Sequence, residues 1–314
     1  MRFLSAAQLL FRQLSRERRL LSSLESQLED IKLLCAAPLV NKLRDDFVYD
    51  NIQDAEFKVF SQFGDDGIIQ YLVNRIDIPA AQRRFIEFGV ENYRESNTRF
   101  LLLNNNWSGL IFDGSAENIS SIKNDPIYWK HDLTAVQSFI NRDNINELIA
   151  ANGFAGEVGI LSIDIDGNDY WIWETIDVVD PAIVIVEFNS VFGATRAVAV
   201  AYDPEFNCTK AHYSNLFWGS SLKALCQLGQ TKGYAFVGAD SHGNNAYFVA
   251  REKLGKLKEH SAESGYVCSK FRESRDEAGQ LTYVSGRQRL DLIKHLEVFD
   301  FEKGASISLQ ELTD

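Results

Sequence analysis

Phe85-Ile86-Glu87-Phe88-Gly89 is a short β-rich apolar run that stops on a glycine, and its reading decides the fold. Runs of the same kind recur at Gly109–Asp113, Tyr128–Asp132, Gly159–Asp164 and Ile183–Glu187. Helical patterns lie between them, near 96–104, 116–123, 136–151 and 168–178. That alternation predicts a parallel sheet built from βαβ units. Two further strands, Tyr234–Ala239 and Ala246–Ala250, are separated by a loop too short for a parallel crossover, so they pair antiparallel. The expectation is an α/β chain with a mostly parallel seven-stranded sheet that ends in an antiparallel hairpin.

The flanks differ from this centre. Residues 1–45 lack glycine, and apolar or small residues recur at Ala7, Leu10, Leu14, Leu21, Leu24, Leu28, Ile31 and Cys35. Their steps of three and four make a heptad with one lapse at Glu17, which predicts a long N-terminal helix. Such a helix either pairs in a coiled coil, giving a homo-oligomer, or packs on its own domain. Arg16, Arg18 and Arg19 read as a solvated face. Residues 46–250 hold the α/β domain. Residues 251–314 read as a helix-rich extension with one short strand at Leu281–Val284.

Composition excludes several function classes. With 44 acidic and 32 basic residues the formal net charge is −12, and nonspecific nucleic-acid binding needs the opposite sign. Cys35, Cys208, Cys226 and Cys268 show no metal-ligand spacing and read as reduced thiols of a cytoplasmic protein. No apolar run reaches the length of a membrane span. Met1–Phe11 is apolar, but Gln8 interrupts it and no cleavage site follows, so a signal peptide is not expected.

Chemistry gathers where the parallel strands end, because ligands of open α/β sheets bind in that crevice. Glu87 and Gly89 end the first strand. The run Gly89-Val90-Glu91-Asn92-Tyr93-Arg94 lacks the further glycines of a dinucleotide fingerprint. An acidic residue there suits a ligand bearing an ammonium group. Asp113-Gly114 ends the second strand, about 24 residues beyond Gly89, where a carboxylate accepts from ribose hydroxyls or caps the next helix. Asp132 is read as ending the third strand, accepting from an adenine amine or capping a helix. The fourth runs into Asp164-Ile165-Asp166-Gly167-Asn168-Asp169, and Glu187-Phe188-Asn189 ends the fifth. Asp164, Asp166, Glu187 and Asn189 thus form a candidate oxygen-rich Mg²⁺ site. Capping by Asp166 or Asn168 is the bland alternative.

The chain also resembles the FkbM-like methyltransferases, which use S-adenosylmethionine (SAM) and have the Rossmann-like class I fold. The resemblance is carried by SQFGDDG at 61–67, FIEFG at 85–89, SNTRFLL at 96–102, WSGLIFDG at 107–114, LSIDIDGNDYWIW at 161–173, IVEFNSVFG at 185–193, HYSNLFWGSSLKAL at 212–225 and GNNAYFV at 243–249. It covers roughly residues 58–250. Val90–Tyr93 departs from the small or glycine-containing turn of relatives. The resemblance implies SAM as cofactor and methyl transfer to a hydroxyl of a sugar, glycan or glycosylated metabolite. By position it places Gln62, Glu87, Gly89, Asp113, Gly114 and Asp132 around SAM, with Asp65 on a covering helix. Acceptor contacts come from Asn189 to Trp218, with Asn189, Tyr213 and Trp218 foremost. A sugar hydroxyl needs a base or a metal, and the candidates are Asp164, Asp166 and His212, then His242. Tyr170, Trp171, Trp173, Phe217 and Trp218 are candidate sugar platforms or core. Two other readings stand beside this one: a metal-dependent glycosyltransferase using Asp164-Ile165-Asp166 as its DxD, and a non-catalytic scaffold with a relic fold.

Overall fold

The computed structural model describes residues 6–45, 47–270 and 272–312. The start of the Met1–Phe11 run and the side chains of Ala7, Arg18 and Arg19 lie outside that description. Five parallel strands, β1 (Arg84–Phe88), β2 (Ser108–Asp113), β3 (Leu133–Gln137), β4 (Gly156–Ile163) and β5 (Val179–Glu187), form one sheet with the hairpin β7 (Tyr234–Ala239) and β8 (Asn245–Ala250). The order is β3-β2-β1-β4-β5-β8-β7, with β8 antiparallel to both neighbours. This is the Rossmann-like, doubly wound plan expected of class I methyltransferases.

Strand residues are apolar on both faces because helices cover both sides. Phe85 and Ile86 illustrate this, being fully buried neighbours that join different core clusters. On one face α6 (Ile145–Ala151), α7 (Asp169–Thr175) and α9 (Leu222–Thr231) bury Ile149, Trp173 and Leu225. On the other, α2 (Asp65–Arg75), α3 (Arg99–Asn105) and α4 (Ala116–Asn124) bury Tyr71, Leu102 and Ile122.

One expected strand is a helix. Tyr128–Asp132 falls largely in α5 (Pro126–Lys130), since Asp125 accepts the Ile127 N–H at 2.9 Å and Pro126 presets the first turn. The strand begins at Leu133 instead, so it occupies the start of the expected 136–151 helix.

The long connection after β5 carries the two-residue β6 (Val198–Ala199) and a one-turn helix, α8 (Cys208–Ala211). Beyond α10 (Ala262–Gly265) and α11 (Arg287–Ile293), the tail adds β9 (Glu297–Asp300) and β10 (Ala305–Ser308). These make a second sheet, β10-β9-β6, over Phe192, Leu216, Ile293, Val298 and Leu309. Leu281 makes only an isolated bridge with Arg275. Buried Asp300 pairs with Arg196 and accepts the N–H groups of Glu302 and Lys303, and these donors hold its carboxyl below the usual value despite burial. A depressed folded pKa adds stability that is complete above the unfolded pKa and is lost as pH falls through the folded one. Asp300→Ala is expected to cost about 1–3 kcal/mol, reduced by the partial exposure of Arg196. Limited proteolysis at neutral pH should then cut the 193–221 connection faster than in wild type, and equal rates would contradict it.

The first helix, α1 (Ala6–Lys42), docks by its C-terminal half. Ala36, Val40 and half-buried Leu33 pack on Val59, Phe60 and Phe100. Glu29 pairs at 2.7 Å with the buried guanidinium of Arg99, and Lys32 donates to the Val59 carbonyl. No helix among the described residues is long and apolar enough to cross a membrane.

Candidate functional site

A cavity of about 440 Å³ opens at the C-terminal ends of β1, β2, β4 and β5, a volume usual for small-molecule sites. Its walls include Glu87, Glu91, Glu95, Asp113, Asp164, Asp166 and Glu187. No Lys, Arg or His is among the lining residues. Such a cavity attracts cations and repels phosphates and carboxylates.

Gly89 stands where β1 turns away, at φ +72°. A Cβ there would lie 1.7 Å from the Asp164 carbonyl oxygen, so the glycine serves the contact between two strand ends. Glu87 is buried and accepts from Ser96 Oγ at 2.6 Å, the Asn97 N–H at 2.8 Å, the Thr98 N–H at 3.2 Å and the Thr98 hydroxyl. Burial raises its pKa against those donors. Glu87 therefore both lines the cavity and shapes the Ser96–Thr98 loop. The turn that departs from relatives is held in left-handed conformations at Glu91 (φ 47°) and Tyr93 (φ 61°). Arg99 donates to the Tyr93 carbonyl and the Tyr93 hydroxyl meets Thr98, which fixes this turn without further glycines.

At the end of β2, Asp113 Oδ1 accepts from the Ser115 N–H at 2.8 Å and from Asn118 Nδ2 at 3.0 Å. Oδ2 is left for a ligand. The cap of α4 is Ser115, whose hydroxyl accepts the Asn118 N–H, and Asp113 braces the same turn. Gly114 and Phe139 are neighbours in the same wall, with Ser138 beside them. Gln62 lines the opposite end. Asp65, first residue of α2, is buried and accepts from Asn245 Nδ2 at 2.9 Å and from the Tyr247 hydroxyl.

The turn after β4 sets the acidic floor. Asp169 reaches back to the N–H groups of Ile165 and Gly167, both at 2.9 Å, and Asn168 Nδ2 donates to the Asp203 carbonyl. Neither Asp166 nor Asn168 caps α7 with its side chain, and Asp169 braces the turn before the helix, so Asp166, at φ 56°, presents its carboxylate to the cavity. Asp164, Asp166 and Glu187 each present an oxygen, and these lie within 4.8 Å of one another. Asp164 and Glu187 share a hydrogen bond, and Glu187 Oε2 is buried without a partner. Burial, then the neighbouring carboxylates, push both pKa values well above the ordinary range. Desolvation and then the Glu273 carboxylate raise that of Asp166, so the tail's field reaches the site.

Several expected site residues lie elsewhere. Asp132 precedes β3, at the sheet edge opposite the cavity, where its carbonyl accepts the Gly109 N–H. That follows from the misread strand, and the true strand end brings Ser138 and Phe139 to the wall. His212 is buried against Tyr213 and His295, with Nδ1 2.7 Å from Ser214 Oγ, and does not line the cavity. Its pKa is lowered by burial and then by His295. Asn189 donates to the Leu216 and Trp218 carbonyls and accepts the Val191 N–H, so it staples the connection and is not available to an acceptor or a metal. Tyr213 and Trp218 do not line the cavity either. His242 stacks on Phe63 at 4.0 Å. Trp173 is core, and Trp171 Nε1 donates to the Val200 carbonyl. Phe206, Asn207 and Cys208 line the cavity instead. Nothing in the sequence of that connection distinguishes the residues that face inward.

No family model matches the chain, and no curated protein matches it. Among solved structures, TrmK of M. capricolum with S-adenosyl-homocysteine (SAH) aligns at 11% identity and TM-score 0.33, over 58% of this chain and 68% of that one. An O-methyltransferase from Bacillus cereus with SAH aligns at 11% identity and TM-score 0.33, over 55% and 82%. The N-terminal domain of EvdMO1 with SAH bound aligns at 12% identity and TM-score 0.34, over 67% and 92%.

Proposed function

We propose that the chain is a SAM-dependent methyltransferase of FkbM-like type that methylates a hydroxyl of a sugar, glycan or glycosylated metabolite. The observation that carries the reading is the cavity itself, with seven carboxylates, no basic side chain, and Asp113 at the end of β2. When bound, SAM supplies an electrophilic methyl on a positively charged sulfonium. Asp113 Oδ2 accepts from its ribose, and Phe139 offers an aromatic face for the adenine. Glu87 with the Ser96–Asn97 loop and Gln62 receives the amino-acid end. The protein's task is then alignment of acceptor oxygen, methyl and sulfur.

Acceptor chemistry falls to Asp164, Asp166 and Glu187. A carboxylate whose pKa is raised is a stronger proton acceptor than an ordinary one, and Asp164 lines the cavity where it would take the hydroxyl proton. His212 lies too far from the cavity wall for that work. The same three oxygens fit a hard divalent cation such as Mg²⁺, which would relieve their mutual repulsion and lower the pKa of a bound hydroxyl. Exhaustive EDTA treatment is expected to abolish turnover and added Mg²⁺ to restore it. Full activity after chelation would leave Asp164 as unaided base.

Calorimetry with SAM, SAH and nucleotide-sugars tests the cofactor. SAM and SAH should bind and nucleotide-sugars should not, because a diphosphate meets seven carboxylates and no basic side chain here. The reverse would favour the glycosyltransferase reading, and no binding of either a scaffold. Asp113→Ala is expected to weaken SAM binding by about 1–3 kcal/mol. Unchanged affinity in a folded variant would remove Asp113 from the ribose site. Labelled SAM with a panel of glycan acceptors then addresses the substrate.

A further inference from the structure

We propose that the outer face of α1 pairs with the same face of a second copy of this chain, antiparallel, in a two-stranded coiled coil. The helix has 37 residues, about 55 Å at 1.5 Å per residue. It meets the body through Glu29, Lys32, Leu33, Ala36 and Val40. The heptad residues lie on the adjoining face, about a quarter turn round the helix. Leu10, Leu14, Leu21, Leu24, Leu28 and Ile31 are each between 49% and 60% exposed, and Cys35 is exposed. The seam is thus unused within the chain, and the body does not obstruct it. A long helix in water draws its stability mainly from a packed apolar face, and a leucine stripe of this length marks an interaction surface.

A second copy is the occupant because the stripe complements itself. In an antiparallel pair related by a two-fold axis, each a position meets a d position, and residue i contacts j as j contacts i. Leu21 then meets Leu24, Leu14 meets Ile31, Leu28 meets Glu17 and Cys35 meets Leu10, every pair adding to 45 in residue number. The two central Leu21–Leu24 layers and the two Leu14–Ile31 layers are wholly aliphatic, and the Glu17–Leu28 layers lie between them. A parallel in-register pair would instead set Glu17 against Glu17 inside the seam, a like-charge contact. Antiparallel pairing sets each Glu17 beside Leu28 instead, where its stem packs and its carboxylate reaches water. The seam over these layers buries on the order of 1,500 Å² in total, the size of a stable protein interface.

Light scattering of the full chain at micromolar concentration should give twice the 35.5 kDa chain mass. Leu21→Glu with Leu28→Glu, both remote from the body, should raise the dissociation constant by on the order of a hundredfold or more. Near-ultraviolet circular dichroism should stay that of the wild-type body. Leu10→Cys should form an interchain disulfide with Cys35 under mild oxidation, and Cys35→Ser should abolish it. A monomeric wild type overturns the proposal, including one that sediments with anionic phosphatidylserine vesicles, which would make the face a membrane contact. Disulfide bonding of Cys35 to Cys35 in the wild type overturns the antiparallel arrangement.

Discussion

Gly89→Ala is expected to destabilise the chain by at least about 4 kcal/mol, in the range kept for a few named mechanisms. Two costs add. A non-glycine residue at φ +72° carries strain of about 1–2 kcal/mol. The larger cost is steric, because the new methyl would lie 1.7 Å from the Asp164 carbonyl oxygen, which is backbone and cannot swing away. β1 and β4 pair from Phe85↔Ile160 to Phe88↔Ile163, so relief requires parting the central strands. Gly153→Ala is the control, with φ +74° and nothing within 4 Å of its added methyl, so it carries the strain alone. Thermal melts should place the Gly89 variant about 8 °C or more below wild type, at 2–4 °C per kcal/mol for a domain of this size, and the Gly153 variant near it. Equal shifts in both would show that the strand ends can separate freely.

Asp164→Asn is expected to reduce turnover by roughly 10²–10⁴-fold, the usual contribution of a positioned proton acceptor, with SAM affinity nearly unchanged. The same substitution should raise stability at neutral pH. Asp164 and Glu187 have folded pKa values above their unfolded ones, so folding favours their protonated forms. Their unfavourable contribution is absent below the unfolded pKa and grows as pH rises toward the folded values. In the metal-free protein, wild-type stability should therefore decline over that window, and the Asp164→Asn variant should decline less. A variant that loses activity and stability together would mean that Asp164 holds the turn and does not take the proton.

Much of this architecture was readable before any coordinates, and the reasons are local. The β1, β2, β4 and β5 runs are apolar, short and closed by acidic or glycine residues, a pattern with no competing helical reading. The third strand failed because Tyr128-Trp129 has β propensity while Asp125-Pro126 is a strong helix start, and the cap prevailed. That single slip moved the expected adenine contact from Ser138 and Phe139 to Asp132. His212 and Asn189 were misjudged for another reason. Polar residues in a long connection look alike in sequence whether they face a cavity or staple the loop. Asn189 spends its amide on two carbonyls, and only the folded path of the chain shows it. Carboxylates were legible where three fell at adjacent strand ends, since such a concentration has few structural uses.

The short ladder between β6 and β9 also orders events during synthesis. Val198 and Ala199 find their partners at Asp300 and Phe299, about a hundred residues further along. The sheet that carries Glu87, Asp113 and Asp164 needs nothing beyond Ala250 to close. On the ribosome that sheet can therefore assemble while the cleft wall formed by Phe206 still lacks support, because Phe206 leans on a core that includes Ile293, Val298 and Leu309. Closing so distant a contact carries the entropy of a long loop. A nascent chain stalled before residue 297 should thus hold its main sheet yet leave the 193–221 connection open to protease, and completing the last strands closes that side of the cleft.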